Sequence, residues 1–310
     1  MADTKVVITG AFSYTGKYAT RLLLRRGYKV HTLTFHPGRQ NEFGSQVEAF
    51  PYSFDRPDQL RESLRGASIL INTYWVRFPS GVLTFEAAVR NTGTLIEAAK
   101  TAGIRRMVHV SIAKPSLESP LGYYRGKAQI EEMVVKSGLA YNILRPTVIF
   151  GPEDILINNI AWFARSFPVF AIPGDGRYRL RPIFVEDLAA LILRGAESPR
   201  NEVVDAVGPE SFAFEELVEK IAGSVGKSPR FVHVPPRVAY LATRLMGGFV
   251  GDVILTWEEY KGLMEGLLAP EGPSAGQTQL TAWLAKNGGS LGRAYTSEVA
   301  RHFAPSARGA

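Results

Sequence analysis

The sequence predicts an α/β protein, with a doubly wound parallel sheet and a smaller, discontinuous C-terminal lobe. Three observations carry this expectation. Short β-branched runs alternate with helical stretches through the first half. A glycine-bearing turn joins the first run to the first helix. The rhythm breaks after Gly151 and returns with a strand-like run at Glu202–Val207. Strands separated by helices make right-handed βαβ units, which set helices on both faces of one parallel sheet.

The elements follow in order. Lys5–Thr9 is a β-branched first strand, and the helix after it, Thr15–Arg26, carries leucines at 22, 23 and 24 and closes at Gly27. Lys29–Thr34 reads as the second strand and Val47–Phe50 as a weaker third. Pro57–Leu64 is a short helix ended by Gly66, and Ser68–Asn72 is the fourth strand. A long helix from Thr84 to Ala102, stopped by Gly103, precedes the fifth strand, Arg106–Ser111. Tyr123–Ser137 is helical and Ala140–Pro146 is the sixth strand. Next comes a segment with Trp162, Phe163, Pro168, Pro173, Gly174 and Gly176, then a helix at Val185–Gly195. Glu202–Val207 rejoins the main sheet, and Phe214–Gly226 (helix), Arg230–Val234 (strand) and several helices follow. The last residues, Pro305–Ala310, read as a frayed end. The main domain is therefore 1–151 with 178–207, and the smaller lobe is 152–177 with 208–310.

Composition narrows the function classes. With 310 residues, 45% hydrophobic and 21% charged, the chain has the makings of a sizeable core and fits no disordered or fibrous class. The absence of cysteine excludes disulfides, thiolate metal sites and a cysteine nucleophile, and no metal is expected. Met1 runs within four residues into a strand, leaving no room for a secretory signal, so the expected location is cytoplasmic. The most apolar long stretch, Val238–Leu255, is interrupted by Arg244, Asp252 and Gly247-Gly248, so no integral membrane span is expected. The net charge of +7 comes from scattered residues without a nucleic-acid motif, which points to a solvated surface and suits an anionic small molecule.

The first strand runs into Thr9-Gly10-Ala11-Phe12-Ser13-Tyr14-Thr15-Gly16. Gly10 allows a tight turn and Gly16 lets the new helix pack closely. The helix start offers amides and a positive dipole end to a pyrophosphate. A dinucleotide site selective for NAD carries an acid about twenty residues on, at the end of the second strand. Here Thr34-Phe35-His36-Pro37-Gly38-Arg39 holds none. His36 and Arg39 are placed instead to hold a 2′-phosphate, so NADP(H) is the expected cofactor and NAD(H) the alternative. Asn72 and Thr73, ending the fourth strand, are expected beside the ribose and phosphates.

The glycine loop resembles that of the extended and atypical short-chain dehydrogenases/reductases, which are Rossmann-type proteins. Ser13 stands where their middle glycine usually is. Its Cβ crowds a phosphate, and its hydroxyl is also a potential donor to one. By the same resemblance Asp55 would meet the adenine amine, a role compatible with capping the helix that opens at Pro57.

Tyr123-Tyr124-Arg125-Gly126-Lys127 holds Tyr-x-x-x-Lys at a helix start, and residues four apart share one helix face. A tyrosine acting as acid or base near neutral pH needs its phenolate favoured, which a neighbouring ammonium does. In the resembled family this lysine also holds the nicotinamide ribose. Ser111, twelve residues before Tyr123, matches the hydroxyl that binds the substrate oxygen, with a strand-end hydrogen bond as the alternative role. Ser116 and Ser119 are possible substitutes, and Asn91 matches a family position. Leu144-Arg145-Pro146-Thr147 with Phe150-Gly151, and Arg181-Pro182-Ile183-Phe184-Val185-Glu186-Asp187, extend the resemblance. The tail segments Thr281–Trp283 and Tyr295–Glu298 are similar to epimerase-like proteins related to a complex I accessory subunit and to NADPH-binding regulators.

These readings imply an NADP(H)-dependent oxidoreductase or epimerase acting on a small-molecule carbonyl or hydroxyl, or else a non-catalytic NADPH sensor or accessory subunit. Tyr74 and Trp75 are the better pocket aromatics, ahead of Trp162, Phe163 and Tyr178. Arg77 and Lys114 are candidates for an anionic group, and the oligomeric state is not encoded legibly. The 2′-phosphate reading has a direct test. Arg39→Ala is expected to cost NADPH affinity roughly 1.5–3 kcal/mol by calorimetry and leave NADH nearly unchanged. Equal losses for the two cofactors would make Arg39 a solvated loop residue.

Overall fold

The protein is described by a computed structural model covering residues 4–299, so the stretch 305–310 lies outside the described residues. The elements in chain order are β1 (Lys5–Thr9), α1 (Tyr14–Arg25), β2 (Lys29–Thr34), β3 (Val47–Pro51), α2 (Pro57–Ser63), β4 (Ala67–Asn72) and α3 (Phe85–Thr101). Next come β5 (Arg106–Val110), α4 (Gly122–Lys136), β6 (Ala140–Pro146), β7 (Ile149–Phe150), α5 (Leu156–Ser166), β8 (Val169–Pro173), β9 (Arg179–Leu180) and β10 (Ile183–Phe184). The remainder is α6 (Val185–Glu197), β11 (Glu202–Ala206), β12 (Phe212–Ala213), α7 (Phe214–Ser224), β13 (Arg230–Val234), α8 (Pro236–Val250), α9 (Trp257–Met264) and α10 (Leu280–Asn287).

The chain divides into two compact units, residues 1–146 with 185–206, and residues 147–184 with 207 onward. The segments 147–151 and 178–184 therefore lie with the second unit, where β7 pairs with β10 in parallel.

The first unit is a seven-stranded sheet in the order β11-β6-β5-β4-β1-β2-β3, parallel throughout. The order reverses between β1 and β4, so the connections after these two strands leave toward opposite faces and open a crevice at their carboxyl ends. Helices α2, α3 and α4 cover one face. Their Leu60, Leu95, Ile96, Ile130 and Val134 pack on Val7, Leu33, Leu70, Met107 and Ile143 of five adjacent strands. Because side chains alternate along a strand, the next row toward the carboxyl ends on that face is Thr9, Asn72 and His109. This polar row at the rim of an apolar face directs attention to the site.

The second unit has its own core, in which Phe150, Ile157, Ile160, Ile172, Leu180, Phe212, Leu217, Ile221 and Trp283 are buried together. Tyr178 stacks on Phe214 at 5.3 Å within it, and Trp162 and Phe163 pack against one another and Tyr295. α9 begins with a capping box, the Thr256 side chain accepting from Glu259 N while the Glu259 carboxylate accepts from Thr256 N. No helix among the described residues is long and apolar enough to cross a membrane.

The closest packing in the first unit is at Gly16, where an added Cβ would lie 2.0 Å from the Gly10 carbonyl oxygen. Gly38 has nothing within 4 Å of such an atom. Gly16→Ala is therefore expected to destabilise the fold by ~1–3 kcal/mol or more in urea unfolding, and Gly38→Ala to leave the midpoint unmoved. Equal midpoints would mean that α1 is not seated on the loop as described.

Candidate functional site

The glycine loop is built from three local bonds. Gly10, at φ +71°, donates its N–H to Leu33 of β2 at 2.8 Å, and its carbonyl accepts from Ser13 N at 2.9 Å. A side chain at Gly10 would strain that left-handed backbone, and one at Gly16 would enter the Gly10 carbonyl. Ser13 adopts an ordinary extended conformation, φ −82°, so the position of the family's middle glycine takes a side chain here without strain. Its hydroxyl donates to the Gly10 carbonyl at 2.6 Å. In that position the hydroxyl braces the loop. Ser13 is also the N-cap of α1 without capping it by its side chain, and the first turn holds no acid. The positive helix end thus meets the loop uncapped by a side chain, and the cradle fits an anionic pyrophosphate. Phe12 stacks on Phe43 at 6.4 Å, Tyr14 lies edge-on to Tyr18 at 5.8 Å, and Thr15 is half-buried in the first turn.

The segment after β2 turns back at once. His36 N donates to Thr34 Oγ1 at 3.2 Å and Arg39 N to the His36 carbonyl at 3.0 Å, leaving His36 half-buried and Arg39 exposed. Next to them is a cluster of which sequence reading named only Tyr74. Phe35, Tyr52, Phe54 and Tyr74, which follow β2, β3 and β4, form one aromatic cluster with centroid separations of 4.7–6.1 Å. Phe35 is 49% exposed and offers a flat face beside the Arg39 turn. The available signal was an aromatic within two residues after each of three strands. Burial pushes the Tyr52 and Tyr74 phenols up, and Asn91 Nδ2 donates to Tyr74 Oη at 2.9 Å, which gives Asn91 a bracing role. Asp55 is exposed beside Arg56, and it is Arg56 that stands at the N-cap of α2, so Asp55 does not cap that helix.

Thr9, Asn72 and His109 are cross-strand neighbours on β1, β4 and β5. Thr9 Oγ1 accepts from Thr73 N at 2.7 Å and Tyr74 N at 2.9 Å, and donates to Asn72 Oδ1 at 3.1 Å. Asn72 Oδ1 also accepts from Tyr74 N at 3.1 Å, and its Nδ2 donates to His109 Nδ1 at 3.1 Å. Asn72 is fully buried with both side-chain ends engaged, so it ties strands together and does not reach toward a ribose as expected. Thr73 donates its hydroxyl to the Thr9 carbonyl and lies next to Gly10, where the crevice opens.

Tyr123 and Lys127 sit one turn apart in α4 and meet the same side chain. The Trp75 indole is edge-on to Tyr123 at 5.5 Å and lies 4.8 Å beneath Lys127 Nζ. Trp75 reaches this position because residue 126 is glycine, where an added Cβ would stand 2.7 Å from the indole. Lys127 is buried and donates to the Val110 carbonyl at 3.0 Å, which sets its ammonium at the carboxyl end of β5 beside Ser111. Burial brings its pKa down to about 7, only partly offset by the charge of Glu131. Glu131 is itself held by Arg145, with contacts of 2.6–3.2 Å. Ser111 donates its N–H to Leu144 O at 2.7 Å, while its buried hydroxyl makes no hydrogen bond. Ser116 and Ser119 instead accept from Glu118 N and Leu121 N in local turns, both at 3.2 Å. Lys114 is exposed at φ +49°, and Arg77 lies against Phe78 at 5.9 Å. Among the described residues no group of three or more His, Asp or Glu could hold a metal.

With this geometry in hand, similarity to known proteins is specific. The sequence model of a family described as NAD(P)H-binding matches residues 10–155, from the glycine loop past β6. The chain is similar to a mitochondrial NADH dehydrogenase [ubiquinone] 1 alpha subcomplex subunit 9 of Arabidopsis thaliana, 26% identical over 244 residues. That match covers 75% of this chain but only 60% of the plant subunit's length. A ceramide reductase of Caulobacter vibrioides is 26% identical over 240 residues, covering 74% of this chain and 73% of that enzyme. Among solved structures, Citrobacter sp. triphenylmethane reductase complexed with NADP(H) superimposes with a TM-score of 0.70 at 17% identity, covering 92% of this chain and 99% of that one. Residues 10–155 thus match an NAD(P)H-binding family model, on a fold like that of the triphenylmethane reductase.

Proposed function

We propose that the chain is an NADP(H)-dependent oxidoreductase or epimerase acting on a carbonyl or hydroxyl of a small molecule. The observation that carries this reading is Lys127, a buried amine that donates to the Val110 carbonyl at the end of β5, one helical turn from Tyr123 and with Ser111 following its acceptor. The missing acid after β2 and the exposed Arg39 favour the 2′-phosphorylated cofactor. So does the solved structure complexed with NADP(H), although its likeness is one of fold. A cytoplasmic location goes with this reading.

When bound, the dinucleotide supplies or takes up a hydride at the reacting carbon. The chain's own part is to hold the oxygen and move one proton. Tyr123 gives that proton to the oxygen in reduction and takes it back in oxidation. Lys127, when charged, favours the phenolate that remains. Ser111, whose buried hydroxyl makes no hydrogen bond in the protein, donates to the same oxygen and orients it. Tyr123→Phe and Lys127→Met each remove one of these contributions without a large change in volume.

A second reading rests on Trp75. Its indole lies across Lys127 and against Tyr123, the ground a substrate would occupy, which suits a sensor or accessory subunit that binds the dinucleotide without turnover.

Lys127 also makes stability depend on pH in a definite direction. In the fold it is neutral above about pH 7, whereas in the unfolded chain it stays charged up to its ordinary value of 10.5. Between those limits the unfolded state holds one more proton, so stability rises with pH, by at most about 1.4 kcal/mol per unit. Lys127→Met lacks this slope. Its stability advantage over the parent is expected to be largest below pH 7 and to shrink toward pH 9 in denaturant titrations. A gap constant with pH would show that the lysine keeps its charge.

The mechanism itself is tested by turnover with NADPH against a panel of carbonyl compounds. Both Tyr123→Phe and Lys127→Met are expected to lose about 10²–10⁴-fold in turnover. Tyr123→Phe should leave NADPH affinity within a few-fold, and Lys127→Met should weaken it. Undiminished turnover in Tyr123→Phe would end the assignment. The sensor reading is favoured if no substrate is turned over while both variants bind NADPH normally.

A further inference from the structure

From Lys220 to Gly251 the sequence holds no acid and five basic residues, Lys220, Lys227, Arg230, Arg237 and Arg244. Within this stretch α8 packs on the rest of its unit by one side. Ala239 is buried, Tyr240 meets Trp257 at 5.2 Å, and a Cβ added at Gly247 would stand 2.5 Å from the Asp252 carbonyl oxygen. The opposite side carries Val238, Leu241, Ala242 and Leu245, spaced i, i+3, i+4 and i+7. Val238, Leu241 and Leu245 are 53%, 56% and 63% exposed, so the ridge stands in water. Arg237 and Arg244, two turns apart, run along one flank of it. Both are exposed, and neither has an ion-pair or hydrogen-bond partner among the described residues. A helix apolar on both sides is one that something covers, and here the cover must also meet two unneutralised guanidinium groups.

We propose that the outer side of α8 docks on an anionic membrane surface. Val238, Leu241 and Leu245 enter the boundary between headgroups and acyl chains, and Arg237 and Arg244 meet lipid phosphates along its edge. At about 1.5 Å per residue the 15 residues of α8 span about 22 Å, short of the ~30 Å hydrocarbon core, so the helix lies in the plane of the interface. The ridge is convex, and its few side chains fall far short of the about 800 Å² per partner that a stable protein interface buries. A bilayer needs no complementary groove and adds a long-range attraction for the arginines. A second copy of the chain fits less well. In a two-fold antiparallel pairing of α8 the two arginine flanks come to the same side, four guanidinium groups with no carboxylate from either helix. The docking rests on neither the cofactor nor turnover.

Flotation of the full-length protein with phosphatidylcholine vesicles, with and without phosphatidylglycerol, tests the docking. The protein is expected to float with the phosphatidylglycerol vesicles far more than with phosphatidylcholine alone, and less as salt is raised. Arg237→Gln and Arg244→Gln should each weaken binding about fivefold. Leu241→Gln with Leu245→Gln should weaken it about tenfold or more. All four side chains are exposed, so the thermal midpoints of these variants should match the parent's. Because the chain has no cysteine, Ala242→Cys takes a single environment-sensitive dye, whose emission should shift to the blue on anionic vesicles. The same dye on Val135→Cys, at an exposed position of α4 in the first unit, should not shift. Absence of vesicle binding, binding indifferent to the arginines or to the leucines, or equal dye shifts at positions 242 and 135 would overturn the proposal. So would a dimer in sedimentation equilibrium that the paired leucine variant dissolves, because the face would then be a contact between copies.

Discussion

The Thr9 hydroxyl is the bond on which the first unit's geometry depends. It lies where the strand order reverses, between β1 and β4, whose following chains depart to opposite faces. Nothing in a ladder of backbone bonds would hold these two strand ends together beyond their last pair. Thr9 does so by accepting from Thr73 N and Tyr74 N and by donating to Asn72, while the Thr73 hydroxyl returns a bond to the Thr9 carbonyl. The crevice is thereby fixed in width at its base, with the glycine loop on one lip and the Tyr74-Trp75 segment on the other. A buried network of this kind is worth most when every member is paired, and only its far end, His109 Nε2, is not.

The main sheet was legible because its signals are local and periodic. Strands β1, β2 and β6 begin and end where the sequence sets them, and Pro57 and Thr84 mark the helix starts that the sequence announces at α2 and α3. The glycine loop was legible for a different reason: only Gly16 tolerates a helix seated within contact of the Gly10 carbonyl. The second unit was read less well. Strands of two residues, such as β7, β9 and β10, have no period to detect, and α5 was hidden among aromatics and prolines. What escaped at the site was pairing across long separations. Asn72 looks like a ligand residue from its place at a strand end. The partners that consume it, Thr9 and His109, lie 63 and 37 residues away.

Trp75 and Gly126 illustrate the same limit within a recognised motif. The Tyr-x-x-x-Lys spacing announces two side chains on one face, and the structure brings both against Trp75. The glycine between them reads as filler until the indole is seen to occupy the space of its missing Cβ. The ring does more than fill room. Its face lies 4.8 Å from Lys127 Nζ, a distance at which the aromatic quadrupole attracts a cation, and its bulk excludes water from the lysine. The first effect favours the charged amine and the second opposes it. Burial brings the lysine down to about 7, only partly offset by the charge of Glu131.

That balance bears on why a lysine stands there at all. A buried ammonium whose hydrogen bond runs to a carbonyl, with the nearest carboxylate already committed to Arg145, is a poor device for stability. An apolar side chain of the same length would pack against Trp75 at lower cost, because desolvation falls on the charged head and the stem packs equally well in either case. The geometry is intelligible if the missing stabilisation comes from something that binds. A phenolate generated at Tyr123 supplies the opposite charge for an instant of the reaction, and a ribose supplies hydrogen-bond acceptors for as long as a dinucleotide is bound. Both would draw the amine back toward its charged form. On the proposed role, the charge of Lys127 would follow occupancy of the crevice, and ligand binding near neutral pH would take up a proton.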